Sequence, residues 1–203
     1  MRRRADGYEV LARTELPTDT VLLARYLIGK VVVRETPEGS LSERIVETEA
    51  YPVGDAAGHA FRGETPRTRA LFLDRGHAYV HLAYGVSWLF NVSSERCGVG
   101  AGVLVRALEP LTGIASMQRN RGVQNLLDLA RGPGRLTAAL DVDRALDGID
   151  LCRIGPLWLA RDEHDTPKIG VSTRIGLSRE AERPLRFYVR GNRFVSGAKS
   201  LNR

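Results

Sequence analysis

Lysine is scarce in this chain: Lys30, Lys168 and Lys199 are the only three in 203 residues. Schiff-base catalysis needs a deprotonated amine and so has few candidates here, which makes water the better nucleophile. Cysteine is scarcer still. Cys97 and Cys152 lie far apart and belong to no CxxC pair, so they suggest neither a metal site nor a disulfide framework, and free thiols in a reducing compartment are expected. No stretch is long and apolar enough to span a bilayer, and the charged start MRRRADGYEVLART leads into no apolar run. These absences predict a soluble, intracellular protein with no membrane partner. With no repeats, low-complexity segment or linker either, residues 1–203 are expected to form a single domain around one substantial core.

What the chain does carry is positive charge: thirty basic against twenty-four acidic residues, a formal +6 and an isoelectric point near 9.7. Arginine supplies nearly all of it, and the guanidinium fork suits bidentate phosphate contacts. A polyanion such as nucleic acid is the partner this balance favours. Charge kept for solubility alone is the plainer reading of the same numbers.

The densest cluster of chemistry is RIVETEAYPVGDAAGH, from Arg44 to His59. In a strand, Ile45, Glu47, Glu49 and Tyr51 share one face while Val46, Thr48 and Ala50 take the other. That pattern sets Glu49 beside a large ring, and a Pro/Gly/Asp loop then leads to His59. Such a constellation suits a pocket that grips a flat ligand and activates water beside it. Taken alone, VETEAY fits a half-exposed edge strand with solvated glutamates equally well.

Thr18 or Asp19 can cap a helix through VLLARYLIG, stopped by Gly29. Strands are predicted over Val31–Arg34 and Ile45–Tyr51, joined as a hairpin. A second hairpin pairs Ala78–Ala83 with Trp88–Ser93 across Tyr84-Gly85-Val86-Ser87. Val103–Leu108 reads as a further strand, and Leu185–Arg190 and Arg193–Ser196 as closing strands. Helices are predicted over Gly113–Arg119, Gln124–Ala130 and Leu136–Leu140. Arg161–Lys168, polar and holding Pro167, reads as a surface loop.

Tyr84 falls at a hairpin tip beside a glycine, where a core aromatic would not normally be placed. An exposed ring there can act as a wedge between base steps; a tyrosine folded back on its own hairpin is the alternative. Asn91 and Arg106 interrupt the apolar runs WLFNVS and VLVRALEP. Buried polar groups need partners, and a ligand can be one, although structural hydrogen bonding accounts for either residue singly. His77 and His81 have helical ligand spacing, but YVHLAYG reads as strand and no HExxH accompanies it, so no metal and no other cofactor is expected.

Taken together, RIVETEAY, AAGH, TPR at Thr65 to Arg67, YVHLAYG, NVSS, VLVRALEPL and RGPGRL, in this order, resemble the alkyladenine (3-methyladenine) DNA glycosylases of the mammalian type. The similarity runs from LARYLIGK to PLRFYVRG and so covers most of the chain. It implies a mixed α/β (α+β) fold, with a curved, mainly antiparallel sheet, surrounding helices and a protruding hairpin. The implied activity is that of a monofunctional base-excision-repair glycosylase. Such an enzyme flips 3-methyladenine, 7-methylguanine, hypoxanthine or ethenoadenine out of double-stranded DNA and hydrolyses the N-glycosidic bond. A monomer located in the cytoplasm is expected, associated with the nucleoid in a bacterium, or in the nucleus of a eukaryote. A non-catalytic damaged-DNA binding protein is the alternative, needing the tip tyrosine and the basic face but not Glu49.

Residue by residue, the resemblance makes Glu49 the group that activates water and Arg106 the arginine that helps hold that water and the flipped nucleotide. Ile175 aligns with a residue whose main-chain carbonyl touches the same water. Tyr51 and His59 become walls of the base pocket, Asn91 the side chain that crowds the amino group of normal guanine, and Tyr84 the ring that fills the gap left in the duplex. This chain departs from the pattern in four places. His81 stands where the mammalian enzymes have a second stacking tyrosine, and Val86 where they have methionine. Arg135, the expected phosphate contact, replaces a lysine common among relatives, and Thr68 replaces the asparagine of TPRN. For neutral lesions His59 is a candidate proton donor.

Overall fold

The structure, a computed structural model, describes residues 4–5, 7–161 and 167–198. Strands β1 (Arg4–Ala5), β2 (Tyr8–Val10), β3 (Val31–Thr36), β4 (Gly39–Tyr51) and β5 (Ala78–Ala83) are followed by β6 (Ser87–Ser93), β7 (Gly102–Thr112), β8 (Leu157–Arg161), β9 (Ile169–Ser172) and β10 (Arg186–Val189). They form one sheet in the order β1-β2-β8-β3-β4-β7-β6-β5, with β10 joining β4 to β9, and every pairing is antiparallel. Three helices, α1 (Thr20–Leu27), α2 (Ile114–Arg121) and α3 (Pro133–Ala139), complete a mixed α+β fold with a curved sheet.

The helices cover one face of the sheet. Asp19 caps α1, its carboxylate accepting the Leu22 N–H at 2.8 Å, and α1 stops before Gly29, whose φ of +85° is costly for other residues. Leu23, Ala24 and Leu27 of α1, Met117 of α2 and Leu136 and Ala139 of α3 pack on Val32, Ile45, Val80, Phe90, Val92, Val105 and Leu108. Period-two alternation then turns Tyr79, His81, Leu89, Asn91, Leu104 and Arg106 to the opposite face, away from the helices. The polar interruptions of WLFNVS and VLVRALEP are thus the site-facing half of two half-buried strands.

Alternation fails around Glu47, and the expected face assignment fails with it. Bulges interrupt the β4–β7 ladder on either side of Glu47. Ile45 consequently packs in the main core, while Val46 joins Ala107, Tyr188, Phe194 and Val195 on the other side. Ile45 therefore does not share a face with Glu47, Glu49 and Tyr51. A bulge leaves one residue unpaired and bends its strand. Here it lets β4 pair with β3 through Arg44 and then with β10 over Glu47–Glu49, along the edge that β7 leaves free.

Three other expectations are corrected. Gln124–Ala130 holds only a 3-10 turn over Leu126–Asp128, capped by Asn125. Helix α3 begins earlier than Leu136, because Pro133 is well placed at a first helical position, where its missing N–H costs nothing. Arg193–Ser196 forms no strand; Asn192 caps the Phe194 N–H and Ser196 is tied to Glu47. Most of the predicted Arg161–Lys168 loop lies outside the described residues, and Arg161 itself closes β8. Both cysteines are free thiols. No helix among the described residues is long and apolar enough to cross a membrane.

Candidate active site

Strands β4 to β7 and the loops after β4 and β9 enclose a cavity of about 490 Å³ on the face without helices. Glu49 is fully buried beside it, and three donors fix its carboxylate. The Tyr51 hydroxyl donates to Oε2 at 2.9 Å, the Ile175 N–H donates to Oε1 at 2.8 Å, and Arg106 Nη1 lies 3.3 Å from Oε1. Burial raises the Glu49 pKa from the ordinary carboxylate range, opposed by Arg106 and by the two hydrogen bonds. All three neighbours are donors that favour the ionised form, and burial outweighs them. Burial and the adjacent carboxylate together push the Tyr51 phenol far up, so it stays a donor.

A second carboxylate sits behind the first. Glu47, also fully buried, accepts from Arg106 Nε at 3.0 Å, Arg186 Nε at 2.7 Å, the Ser196 N–H at 2.6 Å and Ser196 Oγ at 3.0 Å. It anchors Arg106, so one guanidinium bridges both glutamates. Within VETEAY only Tyr51, which donates to Glu49, separates the two; the other groups that set their roles come from β7, β10, Ile175 and Ser196.

A further buried pair escapes sequence reasoning. Arg174 contacts Asp55 at 2.6 and 3.2 Å with both side chains fully buried, donates to the Ala50 carbonyl at 3.0 Å and lies 4.6 Å from the centre of the Tyr51 ring. It binds the loop after β4 to the segment that presents Ile175. The partners are 119 residues apart, and only their charges hinted at a pairing.

The far wall is aromatic. His81 stacks on Tyr79 at 4.9 Å between ring centres, and His59 meets His81 edge-on at 4.3 Å. His59 Nδ1 lies 2.9 Å from the Tyr79 hydroxyl. The Asn91 amide donates to the Tyr79 carbonyl at 3.2 Å and reaches His81 Nδ1 at 3.4 Å, which makes Nδ1 the acceptor and places the His81 proton on Nε2. Burial, His59 and Arg67 drive the His81 pKa down to about 3, and burial and Arg67 lower that of His59. Both rings are neutral near pH 7, which disfavours His59 as a cationic acid. Tyr79, pushed up to about 12 chiefly by burial, was not among the candidates although alternation places it beside His81.

Tyr51, His59, His81, Asn91, Arg106 and Ile175 thus line one cavity, and Glu49 lies buried behind them, held by Tyr51, Arg106 and Ile175. Ile175 meets Glu49 through its N–H. Tyr84 stands at the hairpin tip, 94% exposed with φ of +51°, and is not folded back. Arg135 lies apart, half exposed on α3, and pairs with Asp128 at 3.0 Å. His77 faces Arg13 and the Asp74 carbonyl instead of the cavity. Among the described residues no group of three or more His, Cys, Asp or Glu side chains is placed to hold a metal ion.

A buried carboxylate beside a ring-lined cavity, on a basic chain with a ring projecting nearby, is an arrangement suited to receiving a base extruded from nucleic acid. Comparison with known proteins agrees. The pattern of the family described as methylpurine-DNA glycosylase (MPG) matches residues 14–193, and the chain belongs to that family. It is 68% identical over 198 residues to a protein of Mesorhizobium japonicum, covering 98% of this chain and 95% of the relative. Against a Paraburkholderia phytofirmans protein the identity is 53% over 191 residues, covering 94% and 90%. Against one of Methanoculleus marisnigri it is 45% over 183 residues, covering 88% and 94%. All three carry the name "Putative 3-methyladenine DNA glycosylase". The chain is a monofunctional DNA glycosylase of base excision repair, and it binds damaged DNA.

Proposed function

We propose that the protein excises alkylated or deaminated purines, among them 3-methyladenine, 7-methylguanine, hypoxanthine and ethenoadenine, from flipped nucleotides, with Glu49 activating the water. The observation that carries this reading is the buried Glu49 carboxylate, held by Tyr51, Arg106 and Ile175 of the cavity wall, with Arg106 bridging it to Glu47. A poorly paired or stacked base costs least to extrude, and Tyr84 fills the space it leaves. A ring-alkylated purine is cationic. It gains roughly 0.5–2 kcal/mol for each good contact with an aromatic face, and neutral His59 and His81 add rings without opposing charge.

The C1′–N bond then breaks with its electron pair leaving on the base, and positive charge builds on the sugar. The Glu49 carboxylate stabilises that charge and takes a proton from the water whose oxygen bonds to C1′. The Ile175 carbonyl is the second group assigned to that water. A departing cationic purine leaves neutral and needs no acid; hypoxanthine and ethenoadenine must be protonated first. Asn91 crowds the amino group of guanine, and Arg135, on leaving Asp128, contacts a phosphate. No covalent enzyme intermediate forms, and the protein acts as a monomer.

The test is base release from matched duplexes carrying hypoxanthine, ethenoadenine or 3-methyladenine, with the native chain and Glu49→Gln compared in the presence of chelator. Release by the native chain alone, with lesion binding kept in the variant, is the expected result. Selective binding without release of any lesion points to a damage-binding protein, and trapping of a protein–DNA adduct by borohydride overturns the water mechanism.

A further inference from the structure

Next to the base cavity lies a second one, of about 540 Å³, within the size range of small-molecule sites. The two share His59, Phe61, Arg67 and Tyr84 as a common wall. Arg62 and Arg179 also line the second cavity, and no carboxylate does. Phe61, on the 3-10 turn His59–Arg62, is 51% exposed, far more than core packing requires. Among the described residues, neither Arg62 nor Arg179 has an ion-pair partner. An exposed ring beside guanidiniums that no acid offsets is the chemistry that holds an unstacked nucleotide: the ring takes the base and the cations take the phosphate.

We propose that this cavity is a second nucleotide subsite, which receives the nucleotide adjoining the flipped one in the same DNA strand, with its base on Phe61 and its phosphates between Arg62 and Arg179. The inference rests on the reading that a damaged nucleotide enters the first cavity. The strand delivering that nucleotide must pass the common wall, and the neighbouring position is the one that meets Phe61. The protein therefore unstacks two consecutive nucleotides. Half-exposed Phe61 contributes little to the core, so Phe61→Leu is expected to fold as the native chain does.

The experiment uses duplexes with a tetrahydrofuran abasic site flanked on one side or the other by 2-aminopurine, whose fluorescence reports stacking. The native chain is expected to change the signal on one flank only. Phe61→Leu should abolish that change and weaken binding about 5- to 150-fold, the worth of one base–aromatic stack. The double variant Arg62→Gln/Arg179→Gln should flatten the dependence of log affinity on log salt by about 2. Native-like signal and affinity in Phe61→Leu, or an unchanged salt slope in the double variant, overturns the subsite. Base release by the native chain is followed in parallel. Absent release with a Phe61-dependent signal condemns the catalytic reading alone, whereas intact release without that signal condemns the subsite alone.

Discussion

The Ile175 N–H lies 2.8 Å from Glu49 Oε1, and the residue that holds Ile175 there is its neighbour Arg174, locked to Asp55 at 2.6 Å. A fully buried ion pair is weak evidence for stability, since desolvation offsets most of its attraction. Its use is better sought in geometry. Arg174 fixes the backbone next to Glu49 at Ala50, the donor to Glu49 at Ile175 and the back of the Tyr51 ring.

Asp55→Asn is accordingly predicted to act on both stability and rate. Leaving Arg174 charged and unpaired should cost about 3–5 kcal/mol of stability. Loosening the Ile175 contact should slow single-turnover base release by up to about a hundredfold in protein that is still folded, with affinity for an abasic-site duplex nearly kept. Thermal unfolding and single-turnover kinetics on the same preparation separate the effects. A lowered melting temperature with an unaltered rate leaves the pair a structural role only.

The pH dependence follows from the same site. The proposed mechanism needs Glu49 ionised, and burial raises its pKa, so the rate should fall on acidification at a pH above the ordinary carboxylate range. With His81 near 3 and His59 lowered, neither ring should add a limb between about pH 6.5 and 8. The pH profile of His81→Phe tests this: its acid limb should coincide with that of the native chain even where its rate on a given lesion differs. Movement of the limb in that variant would assign the titration to the histidine.

How much of this was legible depends on how local each signal is. Glu49 and Tyr51 are two residues apart, and β5 and β6 alternate cleanly, so the sequence pattern alone suggested both the carboxylate–ring pair and the hairpin under Tyr84. The bulges near Val46 and Arg106 were hidden, because a bulge is a property of two paired strands and the spacing within one strand carries no trace of it. The same holds for Ser196, which looked like strand and instead caps Glu47 from 149 residues away. Gln124–Ala130 reads as a helix, but a turn of 3-10 geometry suffices to bury Leu129 and Ala130.

Glu43 is a buried acid that the site does not use. It sits on β4 between Val32 and Pro110, and neither carboxylate oxygen has a hydrogen-bond partner among the described residues. Burial raises its pKa well above the usual value, so the folded protein holds it protonated. A raised folded pKa means that its favourable contribution is complete below the unfolded value of about 4.3 and is lost progressively as pH rises toward the folded value. Glu43→Met should therefore stabilise the protein at pH 8 by about 1–3 kcal/mol, or roughly 2–4 °C in melting temperature for each kcal/mol, and by less at pH 4. Equal shifts at the two pH values would mean that Glu43 is not protonated on folding.

Tyr84 offers a prediction in which stability and activity part company. Its ring is 94% exposed, so removing it sacrifices almost no packing, and its φ of +51° is a conformation that costs an L-residue roughly 1–2 kcal/mol. Glycine adopts that conformation freely but loses more chain entropy on folding, by about 0.5–1 kcal/mol. The two effects nearly cancel, so Tyr84→Gly should melt within a few degrees of the native chain, on the stable side if either. On duplex DNA the same variant lacks the ring proposed to offset an unstacking cost of a few kcal/mol, and base release should fall tenfold or more. On a single-stranded substrate there is no duplex gap to fill, and native and variant rates should lie close together. An equal loss on both substrates would show that Tyr84 contacts the flipped nucleotide itself and does not act by filling the duplex.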